Sequence, residues 1–174
     1  MRNISLVLFA SLLVWSCTSD VKPSFDNCQD HAVHVFSMEE AFVASNYNPE
    51  LASGLMRTYA EFANSCSSDS LAPEFLMRRA DMLRGEGNIH ESIAAFTAIH
   101  DGYPQFPNKI LCALISGYMY ETQLNDKDMA EKIYMQIVES YPESKEAKTA
   151  EIALLYLRET PEELNKRLKL NQSK

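Results

Sequence analysis

The chain has 174 residues, 46% of them hydrophobic and only 5 of them glycine, enough for one domain with a real core. Its formal net charge is −8. An acidic, evenly mixed chain lacks the basic stripe that nucleic-acid phosphates require, and it argues against electrostatic adsorption to anionic lipid.

The first residues read as a targeting segment. Arg2 supplies a short basic region, and Ile4 to Val14 is an apolar run of about 11 residues, too short for a bilayer span of ~20. The run ends in Val14-Trp15-Ser16-Cys17. This resembles the lipobox of bacterial lipoproteins, with a small residue before the cysteine and Trp15 as a departure from the pattern. The resemblance implies a signal peptide over residues 1–16, removed on processing. It also implies fatty acyl chains, palmitate among them, on Cys17. Several acyl chains would give stable membrane attachment. The segment from Thr18 to Asp30 is polar and aperiodic and reads as a tether. His31 to Phe36 is ambiguous between a short strand and a helix lead-in. The expected division is therefore residues 17–36 as lipidated Cys17 plus tether, and residues 37–170 as the folded domain.

From Ser37 onward the helix signals are explicit. Ser37-Met38-Glu39-Glu40 has the form of a capping box and predicts a short helix ending near Ser45. Asn48-Pro49 opens a helix to about Asn64, with Asn as the cap and Pro at its first position. After the polar break from Ser65 to Ser70, a helix with Pro73 in its first turn runs to about Arg84, where Gly85-Glu86-Gly87 stops it. Asn88 is expected to cap a helix to about Asp101, and Tyr103-Pro104 and Pro107 break the chain. Asn108 opens an apolar helix to about Gln123. Asn125 to Asp128 restarts the chain into a helix ending near Ser140. Lys145 to Arg158 forms another, and Thr160-Pro161-Glu162-Glu163 opens a last short helix to about Lys169. No segment alternates with period two over strand length, so the fold is all-α.

One signal is written twice within these helices. Phe96, Ile99, Tyr103 and Pro104 return as Tyr134, Ile137, Tyr141 and Pro142, a shift of 38 positions (134 − 96). It is present more weakly as Tyr59, Phe62 and Cys66, a shift of 37 (96 − 59). A fixed period in this range means stacked supersecondary units. Small residues fall where paired helices would cross, namely Ala80 with Ser92 and Gly117 with Ala130, and Phe96 and Tyr134 stand beside them.

These residues resemble the tetratricopeptide repeat, and the Tyr-Pro links resemble the repeats of BamD and of Tol–Pal-associated envelope proteins. The order of lipobox, tether and repeats is similar to short tetratricopeptide lipoproteins of Bacteroidota. The resemblance covers about Ser37 to Lys169 and departs from the pattern at Leu155, where a small residue is expected. It implies a right-handed superhelical solenoid of helix hairpins, with two full units and flanking half units. It implies a protein-binding groove lined by the first helix of each unit. Carried over by position, the groove residues are Glu74, Met77, Asp81, Arg84, Leu111, Leu114, Tyr118, Glu121, Ile152 and Tyr156. Their apolar and acidic mixture would suit a peptide segment of a protein partner. The apolar members have a second reading, as packing against flanking helices.

Catalytic chemistry finds no foothold in the sequence. There is no phosphate loop and no nucleophile elbow. Glu39-Glu40 and Glu162-Glu163 lie in first turns, where carboxylates complement the helix dipole. His90 and His100 read as ordinary surface residues, and His31 and His34 lack further ligands for a metal. Cys28, Cys66 and Cys112 leave at least one unpaired thiol, and Cys66 and Cys112 read as buried small hydrophobes. The expected function is non-catalytic: an outer-membrane lipoprotein scaffold facing the periplasm, serving outer-membrane protein assembly. A subunit of a Tol–Pal, cell-division or secretion complex is the alternative, and a periplasmic enzyme is a third, less favoured reading. No cofactor, nucleic acid or small-molecule substrate is expected.

Overall fold

The computed structural model describes residues 24–172. The expected signal peptide, Cys17 and the first part of the tether lie outside the described residues. Eight helices and no strand are found among the described residues. They are α1 (Cys28–Ala44), α2 (Pro49–Ser65), α3 (Leu71–Gly85), α4 (Ile89–Gly102), α5 (Lys109–Thr122), α6 (Lys127–Ser140), α7 (Lys145–Leu157) and α8 (Pro161–Gln172). None is long and apolar enough to cross a membrane.

Most helix boundaries follow the local chemistry. The side chains of Asn48, Asp126 and Ser144 each accept a hydrogen bond from the amide three residues on, at 2.9, 3.0 and 2.9 Å. Thr160 and Glu163 form a reciprocal capping box, in which Thr160 N–H donates to Glu163 Oε2 at 2.8 Å. That amide and the Thr160 hydroxyl hold the Glu163 carboxyl below its ordinary pKa. Asn88 departs from expectation and makes no side-chain cap. The end of α3 does the work there. Gly87, at φ +82°, sends its N–H to Arg84 O, and Asn88 N–H reaches Leu83 O at 2.9 Å.

The largest correction concerns the N-terminus. Helix α1 starts at Cys28, not at Ser37, and it is long enough to pair with the whole of α2. Asn27 is its cap and accepts from Asp30 N–H at 2.9 Å. Ser37 sits mid-helix, where its hydroxyl donates back to His34 O at 2.8 Å. The first unit is consequently a full hairpin, not a half. Its antiparallel pairing is visible in three contacts. Cys28 is disulfide-bonded to Cys66, His31 Nδ1 lies 3.1 Å from Ser65 Oγ, and Tyr59 OH donates to Glu39 Oε1 at 2.6 Å. Cys66 is thus not a free buried thiol. Cys112 is, and its side chain is fully buried.

The core is built in steps along the chain. The first cluster joins α1, α2 and α3 through Val35, Leu55, Tyr59, Phe62 and Phe75. The second joins α3, α4 and α5 through Ala80, Ile93, Phe96, Ile99, Cys112 and Met119. The third joins α6 and α7 through Tyr134, Ile137, Ala147 and Ala150, with Ala113 and Leu114 of α5 against it. Each helix from α1 to α6 packs on the next, and α5 also meets α7. The repeat signal is this packing: Phe62, Phe96, Ile99, Tyr134 and Ile137 are all buried. Between α3 and α4, the buried Ser92 hydroxyl donates to Ala80 O at 2.7 Å across the close crossing. In the last unit the small residues facing inward are Ala147 and Ala150, and Leu155 is 74% exposed. Helix α8 runs on with every described side chain exposed.

Candidate functional site

The ten residues assigned to the groove lie on α3, α5 and α7, and the structure sorts them into three kinds. Met77 and Leu114 are half-buried against the second and third core clusters, so each helps to close the seam between one first helix and the next. Glu74 and Leu111 are half-buried as well. Asp81 and Arg84 pair with each other on one turn of α3, at 2.9 Å. Glu121 accepts a hydrogen bond from Tyr134 OH at 2.8 Å, which uses one of its oxygens inside the unit. The remaining three, Tyr118, Ile152 and Tyr156, are open, at 55%, 56% and 45% exposure.

The charged groups among these ten residues are three carboxylates, Glu74, Asp81 and Glu121, against one cation, Arg84, so the face is acidic on balance. The Cys112 thiol is pushed up to about 12, first by burial and then by the negative charges of Asp81 and Glu74 across the α3–α5 seam. Tyr134 is raised above the ordinary phenol value by burial and by its bond to the Glu121 carboxylate. A surface carrying Glu74, Asp81 and Glu121 beside exposed Tyr118 and Tyr156 can offer carboxylates to basic groups and flat rings to apolar ones.

A second arrangement went unrecognised in the sequence. Between α4 and α6, over the floor made by Ala113 and Ser116 of α5, lies a cleft of 330 Å³. His100 stands in it half-buried, with Nδ1 2.7 Å from Asp101 Oδ1 and Nε2 3.2 Å from Tyr141 OH. Lys109 Nζ sits over the Tyr141 ring, 5.6 Å from its centre. His100 therefore ties the end of α4 to the Tyr-Pro link that follows α6. The sequence signal was present in the recurrence of Tyr141 at the Tyr103 position, but nothing local places His100 against a residue 41 positions away.

At the other end, Phe25 stacks on the His31 ring at 4.1 Å, beside the Cys28–Cys66 bond and Ser65. His34 is the further neighbour of Phe25, at 5.1 Å between rings. Among the described residues no group of three or more His, Cys, Asp or Glu side chains is placed to hold a metal. Neither the protein-family models nor the curated proteins compared with this chain give a match.

Proposed function

We propose that this chain is a tetratricopeptide-like solenoid that serves as a non-catalytic scaffold, binding a protein partner through the exposed faces of its first helices. The observation that carries the reading is one row of side chains at the repeat spacing. Asp81 on α3, Tyr118 on α5 and Tyr156 on α7 stand 37 and 38 positions apart (118 − 81; 156 − 118), and the two tyrosines point to solvent. Stacked units present equivalent positions as a continuous strip, which is how helical-repeat proteins make extended binding faces. The partner's chemistry follows from the strip: a segment with basic residues to meet Asp81 and Glu74, and apolar ones to lie on the tyrosine rings.

The lipobox-like Val14 to Cys17 supports an envelope site for this scaffold, with acyl chains on Cys17 in the outer membrane and the repeats in the periplasm. The disulfide between Cys28 and Cys66 agrees with an oxidising compartment. Assembly of outer-membrane proteins is the task that the BamD-like links favour. A photo-crosslinking residue placed at Tyr118 in living cells tests the binding face. Adducts with a specific envelope protein, absent when the probe is placed at exposed Glu91 of α4, are the expected result. Equal labelling from both positions contradicts the assignment.

A further inference from the structure

The cleft between α4 and α6 is apolar inside and polar at its rim. Its volume of 330 Å³ lies in the small-ligand range of about 300–1,000 Å³. The two walls are built at helical spacing. Thr97 and Asp101 stand one turn apart on α4, and Gln136 and Ser140 do the same on α6. Depth sorts the lining. Ala113 and Ile133 are half-buried and Ile137 is buried, whereas Thr97, Asp101, Gln136 and Ser140 are exposed. Among the described residues that line the cleft, Asp101 is the only carboxylate. Its Oδ1 lies 2.7 Å from His100 Nδ1. An ionised carboxylate only accepts, so His100 Nδ1 carries the proton and orients Asp101 at the rim. Among the described residues no side-chain hydrogen bond engages Asp101 Oδ2, Thr97, Gln136 or Ser140.

We propose that this cleft takes the side chain of an arginine from a protein partner. The aliphatic stem lies along Ala113, Ile133 and Ile137, and the charged head stays at the wet rim. A guanidinium donates hydrogen bonds and accepts none, and each open rim group can accept: Asp101 Oδ2, the Thr97 and Ser140 hydroxyls and the Gln136 carbonyl. These acceptors stand on both walls of the cleft. A planar fork with donors along two edges serves both walls, which the compact ammonium of lysine does not. An anion would meet Asp101 on a chain of net charge −8, and a neutral group would gain nothing from the Asp101 charge. Arginine seated in a pocket is a recurrent anchor of protein interfaces. The cleft belongs to the second helices α4 and α6, whereas Asp81, Tyr118 and Tyr156 lie on α3, α5 and α7. The inference therefore does not rest on the binding row, and filling the cleft leaves that row open.

The test is a titration of the full-length protein in detergent, with isoleucine methyl groups labelled for NMR. The probes are N-acetyl-arginine amide, its citrulline counterpart, which has the same shape and no charge, and free arginine. The blocked arginine is expected to shift the Ile133 and Ile137 methyl signals saturably. Citrulline should bind about tenfold more weakly or worse, and so should blocked arginine to Asp101→Asn. Gln136→Lys, an exposed change on the opposite wall, puts a cation at the rim and should abolish binding independently. Helical circular dichroism identifies a variant that fails to fold, in which case the other variant decides. The proposal is overturned if no saturable shift occurs, if citrulline binds as well as arginine, or if binding survives a folded Asp101→Asn or Gln136→Lys. Tighter binding of free arginine than of the blocked form would assign the cleft to the amino acid itself and overturn the protein source.

Discussion

Gly117 and Tyr134 compete for the same space. A Cβ built on Gly117 would stand 2.7 Å from Tyr134 Cε1 and 3.0 Å from its Cδ1. The tyrosine has no room to retreat, being 1% exposed and bonded through its hydroxyl to Glu121. Gly117→Ala should therefore force α5 and α6 apart and cost about 1–3 kcal/mol, read as a lower Tm with unchanged helix content. Gly85→Ala is the control, because nothing lies within 4 Å of a Cβ there.

Phe96 occupies the matching position one unit earlier and is completely buried. Phe96→Ala should cost about 3–5 kcal/mol in denaturant unfolding, while Phe96→Tyr should cost more than its volume implies. The reason for the second effect is that the Tyr134 O–H donates to Glu121, whereas the equivalent residue on α3 is Arg84, which can donate to a phenol oxygen but offers its O–H no acceptor.

The Cys28–Cys66 bond closes a loop of 38 positions. On the chain-entropy account, reduction should lower stability by about 4 kcal/mol. Cys66→Ser should reproduce that loss and expose α1 to protease before the other helices. Cys112, fully buried, should resist alkylation in the oxidised native protein and react once the chain is unfolded.

Stability should fall in alkaline solution. The Cys112 thiol is raised from its usual 9.0 to about 12, so the folded state holds a proton that the unfolded state releases first. A raised pKa contributes fully below the unfolded value and is lost as pH climbs toward the folded one. The decline should begin near pH 9 and steepen above pH 10, where the unfolded phenols of Tyr59 and Tyr134 ionise while the buried ones, bonded to Glu39 and Glu121, do not. Cys112→Ala should remove the first part of the decline and leave the second, which denaturant unfolding as a function of pH can separate.

The helices from α2 to α7 were legible because their boundaries are set by nearby residues: Asn48-Pro49, Gly87, Asp126, Ser144. The recurrence of Phe96 as Tyr134 carried the packing, since these two buried aromatics sit in the core clusters that join α4 to α3 and α5, and α6 to α5 and α7. Helix α1 was not legible from Ser37. Its true cap, Asn27, precedes a cysteine and two histidines that form no plain apolar run, and the stripe of Cys28, Ala32, Val35 and Phe42 emerges only once α2 is in place. The disulfide was hidden for the same reason, because an extended tether would not bring Cys28 to Cys66. Of the carried-over groove, spacing located the row, but exposure could not be read from it. Leu114 and Ile152 are equivalent in the repeat, and only the presence of α7 over the first and, among the described residues, of no helix over the second separates them.

Affinity purification of the tagged full-length protein from gently solubilised envelopes tests the scaffold claim most directly. Three proteins are compared by mass spectrometry: the wild type, Tyr118→Ala/Tyr156→Ala and Cys17→Ala. The account predicts an envelope protein retained by the wild type, lost from the double tyrosine variant although its helical content is unchanged, and depleted without Cys17. An identical set of proteins from all three would contradict both the binding row and the anchor.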